Sequence, residues 1–340
     1  MKSFILSTAR RLGLFEVASW ITRSQIRILG YHGIWFRDGH FGNHLFMSPE
    51  KFQSRISWLK KSKYQVIPLE TAFASLKNGN TQPYSTVITI DDGWYGTYKY
   101  MVPPIEKEIL PATIYVYTEA VDLQVALPKI LIPALLHLSD KSRLRFTKPG
   151  AVDSDEISIA SETEKQRAVA DFLSLLEKLT TDQAVALSRE VANGLGFDYD
   201  EIVRSRQFGF MTYEEIADAN RRGIDIQLHT HSHDLDAESP EKVADEIKIN
   251  RAKLAPHVTS SLEHFCYPSG VNCSAMHPYL DASGVKSATL IDTGLVAPKS
   301  HRFELKRILD GENIDLLEFE AEMSGFLEIV RTVKRTLVRH

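Results

Sequence analysis

Apolar positions keep two periods along this chain, and the places where the period stops carry the chemistry. The β-branched run Thr86-Val87-Ile88-Thr89-Ile90 predicts a buried strand closed by Asp91, Asp92 and a turn glycine, Gly93. A second alternating run, Ile224 to Leu228, predicts another strand and leads directly into His229-Thr230-His231-Ser232-His233. Further strands are expected at Ile26 to Tyr31, Tyr64 to Ile67, Ala112 to Tyr117, Glu263 to Tyr267, Ala288 to Ile291 and Glu304 to Ile308. Helical spacing fills the gaps: Ser48-Pro49-Glu50 reads as a cap with proline at the first position, opening a helix to about Lys61, and a second helix is expected around Val102 to Glu108. Strand and helix therefore alternate, the pattern of parallel β/α units.

Between about residues 123 and 207 that rhythm gives way to helical stretches at Lys129 to Leu138, Glu162 to Lys178 and Asp182 to Asn193, which predicts a helical insertion with few strand signals. Alternation resumes at Thr212, an N-cap with Glu215 three residues on, and Gly223 closes that helix. Ser239-Pro240 predicts another helix start. Residues 1–25 read as an N-terminal helical extension, because Arg10 and Arg11 break the apolar core a secretory signal needs. Residues 321–340 read as a basic amphipathic helix: Phe326, Leu327, Val330, Val333 and Leu337 keep helical spacing among Arg331, Lys334, Arg335 and Arg339. Such a helix docks on the body of the protein or touches an anionic membrane from the side.

Composition narrows the classes. With 340 residues, 43% hydrophobic and 25% charged, the chain has ample material for a globular core, and a net charge of −4 with no basic stripe argues against nucleic acid. No apolar run is long enough for an ordinary membrane span. Two cysteines, Cys266 and Cys273, cannot form a multi-disulfide scaffold and do not match a zinc ribbon, so a cytoplasmic location is expected, with contact to the inner membrane face as its variant.

The two polar segments complement each other. One carboxylate and two neutral imidazoles form a common ligand set for a catalytic divalent ion that keeps positions open. Asp92, His229 and His233 can supply it, with Zn2+ expected first and Co2+, Ni2+ or Mn2+ as alternatives. Metal-assisted hydrolysis also needs a group to accept the water proton, and Asp91 is the candidate base. Adjacent strand residues point to opposite faces, but a turn at Gly93 would let both aspartates reach one cavity. Trp94 follows as a platform for a sugar ring or as barrel packing, and His231 as a support or surface residue. Tyr267, Pro268, Ser269 and Gly270 are expected to form a loop beside the ion, where a backbone N–H would share a developing oxyanion.

These residues resemble the polysaccharide deacetylases, the NodB-homology group or family 4 carbohydrate esterases. Thr89 to Gly93 is similar to their T-F-D-D-G motif, His229 to His233 to H-[S/T]-x-x-H, and Phe265 to Gly270 to F-A-Y-P-x-G. Gly30-Tyr31-His32 and Met211-Thr212 resemble further segments, and the likeness spans about residues 26–320. The resemblance implies a distorted, incomplete (β/α) barrel, Asp91 as base, and Asp92, His229 and His233 as metal ligands. It implies a hydrolase of the carbon–nitrogen bond of N-acetyl groups, or less readily O-acetyl esters, on an amino sugar in a polysaccharide or lipid-linked precursor of a surface glycan.

Two departures stand out. Cys266 occupies the place where many members carry the arginine that holds the catalytic aspartate, and no late L-x-H-D motif supplies a histidine general acid. Arg307, in a strand similar to the family's L-P-R-I, is read as the substitute for that arginine or as a surface residue, and it is also counted with Trp94, Tyr267, Pro268, Ser269 and Gly270 among the candidate substrate-binding residues. His264 and His301 are nearby candidates for the acid, and neither is assigned. The alternatives are an inactive glycan-binding member of the same fold and a hydrolase of a non-sugar amide.

Overall fold

The structure is a computed structural model that describes residues 2–36 and 40–338. The alternating runs form strands β1 (Arg27–Tyr31), β2 (Gln65–Val66), β3 (Ser85–Ile90), β4 (Thr113–Val116), β5 (Arg143–Thr147), β6 (Ser154–Ser158), β7 (Asp225–Leu228), β8 (His264–Cys266), β9 (Ser287–Thr293) and β10 (Leu305–Leu309). In the ring order β1, β3, β4, β7, β8, β9, β10, each strand pairs in parallel with the next, and β10 pairs back to β1. The barrel is therefore closed by seven strands where a complete (β/α) barrel has eight. Its incompleteness is a missing strand, not an open seam. β2 pairs beside this ring with the first residues of β3. The distortion shows in thin seams, since β7 meets β8 through the single pair Leu228 and Phe265, and in a register shift where Leu305 to Arg307 of β10 run beside Thr289 to Thr293 of β9.

Strand alternation sorts the side chains into two layers. Ile28, Val87, Tyr115, Cys266 and Leu305 fill the barrel interior. Leu29, Ile88, Ile114, Ile226 and Phe265 point outward into a second core beneath the surrounding helices. Those helices, in chain order, are α1 (Lys2–Arg11), α2 (Leu14–Ile21), α3 (Pro49–Lys61), α4 (Leu69–Lys77), α5 (Val102–Lys107), α6 (Thr118–Leu123), α7 (Pro128–Leu138), α8 (Glu162–Leu176), α9 (Thr181–Leu195), α10 (Tyr199–Ser205), α11 (Tyr213–Arg221), α12 (Lys242–Leu254), α13 (His277–Ala282), α14 (Leu316–Met323) and α15 (Phe326–Val338). The Thr212 cap of α11 is a full capping box with Glu215, as its spacing predicts. The helix expected at Ser239-Pro240 begins at Lys242, with Ser239 and Pro240 in the preceding turn.

The segment read as a helical insertion contains α7 to α10 and also the antiparallel pair β5 and β6. In β5 only Leu144 and Phe146 are buried, and β6 has no fully buried residue, so the apolar alternation is too short to separate from a charged loop. The insertion has its own core, in which Leu131, Leu135, Phe172 and Val191 join Trp35, Phe46, Trp94 and Tyr117 from the barrel side. It is therefore fused to the end of the barrel where the strands finish.

The N-terminal helical reading divides at Gly13, whose φ of +73° breaks the helix between α1 and α2. At the other terminus, Phe326 and Leu327 pack with Leu6, Ala9 and Phe15, so α15 docks on the first two helices. Arg339 and the side chain of Leu337, expected on the amphipathic stretch, lie outside the described residues, as does Met1. Arg27, at the start of β1, is fully buried and fastens this end of the barrel. Its guanidinium donates to the Met323, Thr22 and Gln25 carbonyls and to Thr22 Oγ1.

Candidate active site

Parity along β3 places Val87, Thr89 and Asp91 on the interior face. The next residue would point out, but Asp92 takes a left-handed backbone with φ +73°, followed by Gly93 at +77°. That turn brings the second carboxylate to the same cavity. It costs roughly 1–3 kcal/mol at a non-glycine residue, so it persists because its surroundings hold it. Trp94 Nε1 donates to Asp92 Oδ2 at 2.8 Å and is one such restraint.

Asp92 Oδ1 then faces two imidazoles, 3.1 Å from His229 Nε2 and 3.4 Å from His233 Nε2. His229 continues the interior parity of β7, and its Nδ1 lies 2.8 Å from the Cys266 carbonyl. The Cys266 carbonyl can only accept, so Nδ1 carries a proton, and Nε2 is the nitrogen that faces Asp92. The turn that presents His233 is fixed by hydrogen bonds. Glu246 accepts from the His231 and Ser232 amides, Thr230 Oγ1 accepts from the His233 amide, and the buried Asn250 accepts from the His229 amide. His231 turns aside to Thr118 Oγ1 at 3.0 Å, a supporting position. The Asp92, His229 and His233 donor atoms all lie within 4.8 Å of one another, close enough to converge on one divalent ion. Burial pushes the Asp92 carboxyl up, but hydrogen bonds from His229 and His233 outweigh it and hold the group well below the usual carboxylate range.

Asp91 is 2% exposed and lies in a different grip. Arg307 Nη1 and Nη2 each donate to one of its oxygens at 2.7 Å, a bidentate fork, while Nε donates to the Leu290 carbonyl at 2.7 Å. Arg307 is thus the substitute for the missing third-motif arginine, as one reading of the sequence has it; being wholly buried, it is neither a surface arginine nor the substrate-binding residue it was also expected to be. Strand alternation aims it inward, two residues on from the interior Leu305. Gly30 makes room, since a Cβ there would stand 3.3 Å from the guanidinium carbon and 2.6 Å from Leu309 Cδ2. Burial alone would raise the Asp91 carboxyl, but the charge of Arg307 reverses that and keeps it below its ordinary value.

His32 is the residue that sequence reasoning left without a role. It extends the interior parity Ile28, Gly30, His32 on the strand paired with β3, and its Nε2 lies 3.4 Å from Asp91 Oδ2. That parity was the signal available. Burial lowers its basicity, partly offset by the two aspartates. The other histidines are placed elsewhere: His264 is buried between Ser287 Oγ and Glu70, and His301 stacks on His277 at 4.5 Å.

A cavity of about 310 Å³ opens over these groups, lined by His32, Asp91, Asp92, His229 and His233. Phe46, Trp94, Tyr117 and Ile291 form apolar walls, and Leu127 and Ile130 of the insertion complete the rim. Trp94 is 3% exposed, with Phe210 stacked at 4.1 Å, so it packs and holds Asp92 and offers no open face to a sugar. The third-motif loop also differs from expectation. The Tyr267 ring turns outward against Phe265 in the outer core, and Pro268 is buried. The Tyr267 and Gly270 amides are spent on the Thr289 and Tyr267 carbonyls. Ser269 is exposed, lines the cavity and takes a left-handed backbone with φ +52°.

The fold is a closed seven-strand (β/α) barrel with a candidate metal site and a buried carboxylate–arginine pair at the strand ends. The family model described as Polysaccharide deacetylase matches residues 170–288, which contain the histidine motif and the third-motif loop. Bacillus subtilis (strain 168) YxkH, provisionally named a polysaccharide deacetylase, is 22% identical over 186 residues, 52% of this chain and 61% of that protein. The match thus spans less than two thirds of the relative's length. Among solved structures, Streptococcus pyogenes deacetylase PplD in complex with acetate aligns with a TM-score of 0.59 at 16% identity, covering 89% of this chain and 99% of that one. IcaB from Ammonifex degensii aligns at 0.56 and 14% identity, with 88% and 97% covered. A de-N-acetylase from Aggregatibacter actinomycetemcomitans aligns at 0.55 and 12%, with 88% and 99% covered. Over residues 170–288 the chain is thus similar to the polysaccharide deacetylase family, and these solved structures share its fold.

Proposed function

We propose that this protein is a divalent-metal-dependent deacetylase that hydrolyses N-acetyl groups of an amino sugar in a polysaccharide or lipid-linked glycan precursor. One observation carries the reading: a carboxylate clamped by a buried arginine, Asp91 on Arg307, stands beside a separate donor set, Asp92, His229 and His233. Adjacent aspartates with different partners serve different tasks.

The donor set fits a divalent ion, with zinc the expected one, and such an ion supplies Lewis acidity toward water and the acetyl carbonyl. Asp91 is kept ionised by Arg307 and takes the proton from the attacking water. His32 lines the cavity next to Asp91 and is the group placed to return a proton to the leaving nitrogen. The Ser269 amide adds a hydrogen bond to the carbonyl oxygen as charge develops. Trp94, Phe46 and Ile291 keep the cleft apolar, which strengthens each of these interactions. The insertion's Leu127 and Ile130 stand at the rim and restrict which acceptors enter.

The inactive glycan-binding alternative rested on the missing arginine and histidine. Arg307 and His32 now supply both positions by other routes in the chain, which favours the enzyme. Acetate release should be measured on N-acetylated amino-sugar oligomers, O-acetylated sugars and a simple acetanilide. Release from the N-acetylated oligomers at least tenfold faster than from the other two is expected. A preference for the acetanilide would replace the glycan reading with a non-sugar amidase, and no release from any of them would return the binding alternative.

A further inference from the structure

The first two helices carry a surface that the catalytic reading does not use. On α1, Leu6 and Ala9 face the protein, whereas Phe4, Ile5 and Leu12 project from the other side, Phe4 at 78% exposure and Leu12 at 70%. On α2, Phe15, Ala18 and Ser19 face inward, and Leu14, Val17, Trp20 and Ile21 form a continuous outward stripe, with Trp20 61% exposed. Leu14-Phe15-Glu16-Val17-Ala18-Ser19-Trp20-Ile21 is thus apolar on nearly every side, the pattern of a helix covered on all faces. Among the described residues, only one of those faces is covered.

Charge indicates what covers the other. In a chain of net charge −4, residues 2–25 and α15 hold seven lysines and arginines against two acids, Glu16 and Glu328. Both acids are already paired, with Lys63 and Arg331. Lys2, Arg10 and Arg331 are in turn engaged by acids of α14. The cations left facing outward are Arg11, Lys334 and Arg335, which make no ion pair among the described residues. Arg23 stacks over the Trp20 ring at 4.5 Å, leaving an aromatic with a cation at its edge. Val333 of α15 is half exposed beside α2, where Phe15 and Phe326 meet at 5.4 Å, so the patch runs on to the C-terminal helix. Aromatic and aliphatic side chains rimmed by unpaired lysine and arginine match the interface of an anionic bilayer, where tryptophan sits at the headgroup level and cations meet phosphate.

We infer that α1, α2 and α15 form a peripheral docking face for an anionic lipid surface. The face is separate from the catalytic mouth. α2 leads through the buried Arg27 into the start of β1, whereas Asp91, Asp92 and His229 lie past the ends of their strands. The protein docks with the far end of its barrel, so substitutions there leave the site intact.

The test is flotation of the full chain with vesicles of phosphatidylglycerol and phosphatidylethanolamine, compared with vesicles of phosphatidylcholine alone. Wild type is expected to float with the first and much less with the second, and added salt should release it. Phe4→Ser combined with Trp20→Ser should cut vesicle-bound protein at least tenfold while far-UV dichroism and acetate release from soluble oligomers stay unchanged. Wild type that fails to float, or a double variant that floats equally well, overturns the inference. A concentration-dependent dimer that the double variant abolishes, without vesicle binding, would assign the face to a second copy and overturn it as well.

Discussion

Asp91→Asn is expected to lower acetate release by roughly 10²–10⁴-fold, the usual contribution of a positioned general base, while bound metal stays at the wild-type level. The split follows from geometry. Asparagine keeps the shape of the side chain but cannot take a proton. The ligand set Asp92, His229 and His233 does not include Asp91, so the ion has no reason to leave. The substitution also removes the counterion of a fully buried guanidinium. Breaking such a pair costs roughly 3–5 kcal/mol, so a lower denaturant midpoint should accompany the loss. Wild-type activity in Asp91→Asn would mean that another group accepts the proton.

Arg307→Met tests the same pair from the other side, and its signature is a change in pH dependence. In the wild type, Arg307 holds the Asp91 carboxyl below its ordinary value against the upward push of burial. A carboxyl depressed in the folded state contributes stability above its unfolded pKa, lost as pH falls through the folded value. Without the guanidinium the push of burial is opposed only by the neighbouring His32 and His229, so the carboxyl holds its proton to a higher pH and less of the base is present at neutrality. Activity should fall by roughly 10²–10³-fold at neutral pH and recover in part as pH rises, with the acid limb of the profile displaced upward. Metal content should not change. An acid limb at the wild-type position would show that Arg307 does not set the ionisation of Asp91.

The four residues that define the site were legible because each ends a periodic run. A strand pattern terminated by acids, and another terminated by paired histidines, place chemistry at strand ends before any fold is known. The alternation also contained His32, two residues beyond an interior Gly30, but a single imidazole after a glycine carries no partner in sequence. Its meaning depends on β1 pairing with β3 across more than fifty residues of intervening chain. Arg307 was legible through the resemblance, but Lys306 and Arg307 look alike in a short strand, and only the interior placing of Leu305 decides that Arg307 is the one turned inward. Trp94 stays open in sequence between sugar platform and barrel packing because exposure cannot be read locally; Phe210, just past the insertion, takes its face and decides for packing. The β5 and β6 pair escaped because most of its residues face solvent.

The central claim is that Asp92, His229 and His233 hold the ion on which hydrolysis depends. It is tested most directly by stripping the protein with a chelator and measuring acetate release from an N-acetylated amino-sugar oligomer before and after returning one equivalent of zinc. The account predicts that release disappears on stripping and returns with stoichiometric metal in the wild type, but not in His229→Ala. Full activity in metal-free protein, or restoration in His229→Ala, would contradict it.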